Sequence, residues 1–370
     1  MNESGKVVLV PVFVLRDLLE SLLRAAGCSE QNAGVVAEGF LAADVHGHAL
    51  QGLDHIWTTL GDLRLGKMNG NACPRVIKET AATALIDGDA GPGQIGGKYA
   101  CDVAVRKARE NGSCVVGLRG AGDVFRLGGY TEMIAREGLI GVLMTHSIPV
   151  RVHPFGGSDP VLGTNPISIA IPTAGDPIVL DMATSASAVG HIRLAGYHGE
   201  PIAAGLAVGP DGQPTTNADE ALRGAIAPLG GPKGFGLGVC IALMSGALVG
   251  GLLGKALDDA LEGDHQGSEH RGHLIIAIDP AAFGDPAEFR RSVECYANEI
   301  KSSRRATGVA AIQMPGERGR AEMMCVMNEG VRVYESVWKK TAIIAADLGV
   351  RMPQLADGDI QDISNGGNHE

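Results

Sequence analysis

Two glycine-rich runs in this chain of 370 residues carry a cation each: GGPKGFG (Gly230 to Gly236) holds Lys233, and PGER (Pro315 to Arg318) ends on Arg318. Glycine lets backbone N–H groups approach an anion closely, and a neighbouring lysine or arginine adds charge, so both runs suit a pyrophosphate. Gly91-Pro92-Gly93-Gln94-Ile95-Gly96 also satisfies the G-x-G-x-x-G dinucleotide pattern. No strand ending in an acidic ribose ligand follows it by about twenty residues, however, where Arg109-Glu110 ends a helix, so it reads as a turn and helix start. Histidines crowd the stretch Asp44 to His55, at His46, His48 and His55. An imidazole with an ordinary pKa of about 6.5 moves protons near neutrality. His265, His270 and His273 lie near Asp264 and Glu269 but lack the H-E-x-x-H spacing of a zinc helix, so no metal site is expected.

The elements that must hold these residues follow from period and punctuation. A strand-like run precedes Pro11, which opens a helix through about Ala26 that Gly27 ends; a second helix runs from about Glu30 to Asp44, making the N-terminal segment mainly helical. From Thr83 the pattern alternates: TALIDGD as strand and turn, Ile95 to Glu110 as helix, CVVGL as strand, Tyr130 to Glu137 as helix, LIGVLMTH as strand. That alternation is the signature of an α/β layer. ISIAIP and PIVLDMA extend the sheet, Gly236 to Leu253 reads as a buried helix, and HLIIAID returns to strand. Pro286 to Ser303 reads as an amphipathic helix and Gly330 to Leu348 as a closing helix. Lys255 to Gly272, acidic and without an apolar period, is expected to be a mobile surface loop, and the last dozen residues to fray.

Hydrophobic residues make up 45% of the chain, charged residues 20% and aromatics 4%, a globular composition. The net charge of −11 argues against nucleic-acid and anionic-membrane partners, which need a cationic patch. The 7 cysteines, odd in number and without C-x-x-C spacing, suggest neither disulfides nor zinc and are expected to be small buried hydrophobes. VVLVPVFVLRDLL is apolar but interrupted by Pro11, Arg16 and Asp17, too short to span a membrane and without a cleavage site, so cytoplasmic residence is the expectation.

Read in order, PFGG (Pro154 to Gly157), LGTNP (Leu162 to Pro166), PIVLDMATS (Pro177 to Ser185), GQPTT (Gly212 to Thr216), APLGGPKGFGL (Ala227 to Leu237), HLIIAIDP (His273 to Pro280) and PGER resemble the type 2 malate/L-lactate dehydrogenases across most of the chain. The resemblance implies an α/β fold distinct from the Rossmann fold, of the sulfolactate-dehydrogenase-like kind, with a mixed sheet and a mainly helical domain built from both ends. It implies domains of 1–75 with 330–370 (helical), 76–140 with 286–329 (substrate and dimerisation) and 141–285 (cofactor), in a homodimer with active sites near the interface. It also implies an NAD(P)(H) cofactor surrounded by Ser147, Asp181, Met182, Ala183, Thr184, Ser185, His191, Lys233, Gly234, Gly316, Glu317 and Arg318.

The proton-handling positions depart from the family pattern. Where the family carries A-D-L-R-G-x-D-S-H-G-x-x-R, whose histidine donates a proton to substrate, this chain runs from Ala43 to His55 as ADVHGHALQGLDH. Matching Ala43, Asp44, Gly47 and Gly52 puts Gln51 at the histidine and His46 and His55 at the two arginines; a second register reads Asp44-Val45-His46-Gly47 as the D-S-H-G core. The motif N-S-x-H-F-G-R-L-G-x-Y maps onto Gly120 to Tyr130, with Arg126, Leu127, Gly128 and Tyr130 matched and Asp123 at the family histidine. His191 stands for a lysine and His146 for an asparagine. Loss of both arginines removes bidentate carboxylate recognition, which histidine cannot reproduce, so a simple 2-oxo acid such as pyruvate is a less comfortable substrate.

The expectation is an NAD(P)H-dependent reductase, or the reverse dehydrogenase, acting on a C=O or C=N bond of a small specialised metabolite. His46 and Asp123 are the candidate proton donors, Asp123 requiring a raised pKa to act near neutrality, while an iminium needs no donor at the reduced carbon. His48, Gln51, His55, His146, Thr164 and Asn165 are the expected substrate contacts. Since cofactor motifs persist where proton-transfer positions changed, the alternatives are a dinucleotide-retaining non-redox enzyme (elimination, cyclisation or isomerisation) and a non-catalytic dimeric partner.

Overall fold

The computed structural model describes residues 6–262, 271–355 and 360–362. Two compact units emerge: residues up to Ala72 together with those from Gly319 on, and Cys73–Arg318. The first opens with β1 (Lys6–Val10), α1 (Val12–Ala25), α2 (Glu30–Val45) and α3 (Ile56–Arg64). Leu15, Leu18, Leu19, Leu22 and Leu23 recur at helical spacing in α1 and are buried, which is why this stretch is a helix with an inward stripe. Ser29 caps α2, its hydroxyl accepting the Asn32 N–H at 3.3 Å.

The second unit runs β2 (Arg75–Glu79), β3 (Thr83–Gly91), α4 (Gly93–Asn111), β4 (Ser113–Ala121), α5 (Gly128–Arg136), β5 (Ile140–Thr145), β6 (Ile167–Ile171) and β7 (Ile178–Met182). It continues through α6 (Val189–His198), β8 (Ala207–Val208), β9 (Pro214–Thr215), α7 (Ala218–Arg223), β10 (Ala225–Ile226), α8 (Pro232–Ser245), α9 (Lys255–Glu262), β11 (Gly272–Ile278) and α10 (Pro286–Ser302). Its main sheet is seven-stranded and mixed, in the order β2-β3-β4-β11-β5-β6-β7. The β3–β4 pair is parallel, with α4 as its crossover, and the other pairs are antiparallel. One face packs Ile86, Val116, Leu118 and Ile275 against Ala100 and Ala104 of α4 and Ile134 of α5. On the other face Met144 and Leu274 meet Ile241 of α8. β3 and β4 thus share one sheet with β5, β6, β7 and β11.

The chain then forms α11 (Glu317–Glu329), β12 (Val331–Tyr334), α12 (Glu335–Asp347) and β13 (Ile360–Asp362). In the first unit β1 is the centre of a three-stranded sheet, antiparallel to both β12 and β13.

Several expectations are corrected. The closing helix starts at Glu335, because Val331–Tyr334 pairs with β1 instead, and Ile360–Asp362, expected to fray, pairs there too. Lys255–Glu262, expected as loop, is helical: Leu257 is fully buried and Asp258 accepts the Val150 N–H at 2.9 Å. Residues 263–270, the rest of that expected loop, and 363–370 of the expected tail lie outside the described residues. The expected buried helix begins earlier, at Pro232, and buries one side only, leaving Leu237, Leu243 and Met244 exposed. Of the cysteines, Cys28, Cys101 and Cys114 are buried, whereas Cys73, Cys240, Cys295 and Cys325 are exposed.

Candidate active site

Strand register gathers the polar residues of the second unit at one end of its sheet. Gly91 of β3 is level with Ala121 of β4, Gly272 of β11 with Arg119, Thr145 of β5 with His273, Ile167 of β6 with Met144, and Met182 of β7 with Ile167. The chain leaving or entering the sheet there carries Asp123, Arg271 with His273, His146 with Ser147, Thr164 with Asn165, and Ala183 to Ser185. Ligand sites in open α/β sheets favour such an end, where loops from several strands converge.

Asp123 follows β4 in a turn closed by its own Oδ1, which accepts the Phe125 N–H at 2.8 Å while Phe125 adopts a positive φ of 58°. Its Oδ2 lies 3.4 Å from Nη1 of Arg271, the residue just before β11. His273, fully enclosed in β11, has Nδ1 2.7 Å from the Thr145 hydroxyl, and its Nε2 makes no hydrogen bond. Burial pushes this imidazole down to about 4, against the pull of Asp123 and with the help of Arg271, so it is neutral at pH 7. His146, at the end of β5, is also buried and also pushed down by desolvation, and its Nδ1 makes no hydrogen bond.

Next to these, Ser147, Thr164, Asn165 and Thr184 lock three loops together. Ser147 Oγ lies 3.0 Å from Thr164 Oγ1 and accepts the Asn165 N–H at 3.0 Å; Asn165 Oδ1 accepts the Ser147 N–H at 3.2 Å. Asn165 Nδ2 donates to the Gly238 carbonyl at 3.0 Å, and Thr184 Oγ1 donates to the Thr164 carbonyl at 2.9 Å. Gly234, in the first turn of α8, sits so tightly on the Leu229 and Thr184 backbones that any Cβ would collide with them. That contact holds the α8 N-terminus against the end of β7, with Lys233 exposed beside it. Val179 of β7 donates its N–H to the Pro315 carbonyl at 3.1 Å, which brings the PGER segment to the same strand.

The remaining expected cofactor residues divide. Arg318 and His191 are exposed, and Gly316 takes a positive φ of 91° in the turn before α11. Glu317 is engaged by Lys301 at 2.6 Å and by the Met314 N–H at 3.0 Å. Asp181 turns inward: its Oδ2 accepts the Gly128 N–H at 2.7 Å at the start of α5, near the Arg126 guanidinium. Burial raises the Asp181 carboxyl and lowers the Arg126 guanidinium, each opposed by the other's charge. Asp181 thus has a structural task that its motif alone does not disclose.

The first unit carries His46, His48, Gln51 and His55. α2 ends at Val45, and His46 Nδ1 lies 2.8 Å from the Ala42 carbonyl. A carbonyl only accepts, so Nδ1 carries the proton in this contact. Gln51 is exposed and His46, His48 and His55 half-buried on the short turns Ala49–Gln51 and Leu53–His55 and the residues before them. Beneath this segment Asp44 is buried, its Oδ2 accepting the Leu53 N–H at 2.9 Å, and burial raises its carboxyl to about 8.

Arg271 and the buried partnership of His273 with Thr145 escaped the sequence reading, which had weighed His273 only as a metal ligand. The hint was a histidine opening a strand of otherwise aliphatic residues. Among the described residues no group of three or more His, Cys, Asp or Glu side chains is placed to hold a metal ion.

Comparison with known proteins identifies the class. Residues 10–341 match the malate/L-lactate dehydrogenase family, and the chain belongs to this family of oxidoreductases. It is 35% identical over 337 residues to the L-sulfolactate dehydrogenase of Methanocaldococcus jannaschii, covering 91% of this chain and 96% of that protein. The Δ1-pyrroline-2-carboxylate/Δ1-piperideine-2-carboxylate reductase of Pseudomonas putida is 34% identical over 336 residues, covering 90% and 95%. The solved sulfolactate dehydrogenase structure from M. jannaschii superposes with a TM-score of 0.85 at 34% identity, covering 93% of this chain and 98% of that one.

Proposed function

We propose that this chain uses NAD(H) or NADP(H) to reduce a C=O or C=N bond of a small specialised metabolite, or to oxidise the product in reverse. The observation that carries the reading is the convergence at one sheet end of the Ser147–Thr164–Asn165–Thr184 lattice and the glycine-tight N-terminus of α8 with exposed Lys233. Backbone N–H groups and a lysine at a helix N-terminus fit a pyrophosphate, and the remaining segments, Met182 to Ser185 and Gly316 to Arg318, would flank it. The bound nicotinamide supplies or accepts the hydride. The chain's own contribution is to hold the substrate and move a proton: His46 through Nε2 when protonated, and Asp123 as an acceptor in the oxidative direction. A C=N substrate suits a pocket without the family histidines, because the iminium carbon takes hydride without a donor at that atom, and the Pseudomonas putida relative is named for reducing cyclic imines.

The working form is a homodimer. Leu237, Leu243 and Met244 of α8 and Leu248 just beyond it form an apolar stripe with 41%, 50%, 36% and 68% exposure, which a second copy would cover. The stretch Pro232–Val249 is also long and apolar enough to cross a membrane, but Ile241 and Ala242 are buried against the protein's own core, which favours a protein partner for the open side.

The test is turnover with NADH and NADPH against a panel of 2-oxo acids and cyclic imine carboxylates, read by nicotinamide absorbance and product mass. Cofactor oxidation with a product heavier by two hydrogens supports the reading. A product of unchanged oxidation state with the cofactor unconsumed overturns it in favour of non-redox chemistry.

A further inference from the structure

Arg271 is a charged group that its own protein leaves largely unsatisfied. Its side chain is only 19% exposed, yet among the described residues it makes no hydrogen bond; its charged contact is Asp123 at 3.4 Å, and its Nε is enclosed without a partner. A guanidinium carries five N–H donors, and a buried charged donor left unmade costs more than a neutral one. Asp123 does not remedy this, because Oδ1 is spent on the Phe125 N–H and Oδ2 stands beyond hydrogen-bond length. The adjacent strand ends add His146 and His273, both buried, with His146 Nδ1 and His273 Nε2 also without a completed bond. Being neutral, these imidazoles offer hydrogen-bonding nitrogens without competing for an anion's charge, and Arg271 is the cation of the group.

We propose that Arg271 determines specificity by binding the carboxylate of the substrate. The planar fork of the guanidinium matches a carboxylate in two parallel N–H···O bonds, which neither a lone imidazole nor the distant Asp123 oxygen provides. Substrate binding then exchanges the loose Arg271–Asp123 contact for a bidentate one. The ligand is a substrate only on the oxidoreductase reading above; the anion site itself stands on Arg271, Asp123, His146 and His273.

The experiment is calorimetric titration of oxalate into the full-length protein, in the wild type and in the Arg271→Gln, Arg271→Lys and Asp123→Asn variants, with circular dichroism to confirm folding. Arg271→Gln is expected to weaken oxalate by roughly tenfold or more, equivalent to about 1.4 kcal/mol. Arg271→Lys, keeping charge but losing the fork, is expected to fall between. Asp123→Asn is expected to tighten oxalate, since it removes the competing carboxylate, and a gain in affinity does not arise from misfolding. No oxalate binding to the wild type at tens of millimolar, or equal affinity in wild type and Arg271→Gln, overturns the proposal. NADH and NADPH titrated separately distinguish the two readings: failure of both to bind, with the oxalate pattern intact, removes the dinucleotide reading and leaves the Arg271 assignment standing.

Discussion

The carboxylate of Asp44 rests directly against the α-carbon of Gly52, while its Oδ2 takes the N–H of the next residue, Leu53. The buried end of α2 thereby clamps the turn that presents Gln51 and, just before it, His48. Any Cβ at Gly52 would overlap the carboxylate. Gly52→Ala is therefore expected to destabilise the protein by about 1–3 kcal/mol, the usual cost of overpacking, measured by urea unfolding. An unchanged midpoint would show that the clamp is slack.

Asp44 also sets a pH dependence. Burial lifts its carboxyl to about 8, with Asp54 adding to the rise and the Leu53 N–H opposing it. The unfolded value is about 3.9, so across that window the native state holds a proton that the unfolded chain has released, and stability falls as pH rises towards 8. His273 has the opposite sign: burial holds it near 4 in the folded state, below its unfolded value of about 6.5, so it subtracts stability as pH drops through that range. As pH rises past about 6.5 the His273 contribution fades, and of these two groups Asp44 sets the remaining slope. Asp44→Asn is expected to flatten the decline between pH 6.5 and 8, measured by urea unfolding across pH. Parallel slopes in wild type and variant would remove Asp44 as its cause.

The long elements were legible because their residues state a period: the leucines of α1, the alternation from Thr83 onward, the aliphatic run of β11. β12 and β13 were not, since four and three residues carry too little pattern, and what makes them strands is pairing with β1 from the far end of the chain. α9 escaped for a similar reason: its helical state rests on the burial of Leu257 and the Asp258 contact to Val150, which local periodicity does not reveal. Ordered motifs singled out Ser147, Thr164, Asn165, Thr184 and Gly234. They did not reveal that Asp181 is turned towards α5, or that Arg271 reaches Asp123, since both depend on which strands lie side by side.

For proton transfer, His46→Ala and Asp123→Asn are each expected to lower kcat by roughly 10²–10⁴ on a carbonyl substrate, the usual worth of a positioned acid or base. Cofactor affinity should stay within a few-fold, because the expected cofactor residues are other ones. Full turnover in both variants would move the proton donor elsewhere and favour the iminium or non-redox chemistry.

Light scattering at micromolar concentration is expected to give a dimer mass. Replacing Leu243 or Leu248 with glutamate places a charge in the exposed apolar stripe and should shift the protein towards monomer, leaving the helical circular dichroism signal in place. A wild-type monomer, or variants that dimerise unchanged, would put the interface elsewhere.

The central claim is that the sheet end bearing α8 holds a nicotinamide dinucleotide, and it is tested most directly by calorimetry of NADH and NADPH against the wild type and Lys233→Ala. Lys233 is exposed at the first turn of a helix whose Gly234 is fixed on Thr184. One of the two dinucleotides is expected to bind the wild type, and Lys233→Ala to weaken it at least roughly tenfold, about 1.4 kcal/mol. Absence of binding by either dinucleotide at millimolar concentration, or equal affinity in the variant, would contradict the assignment.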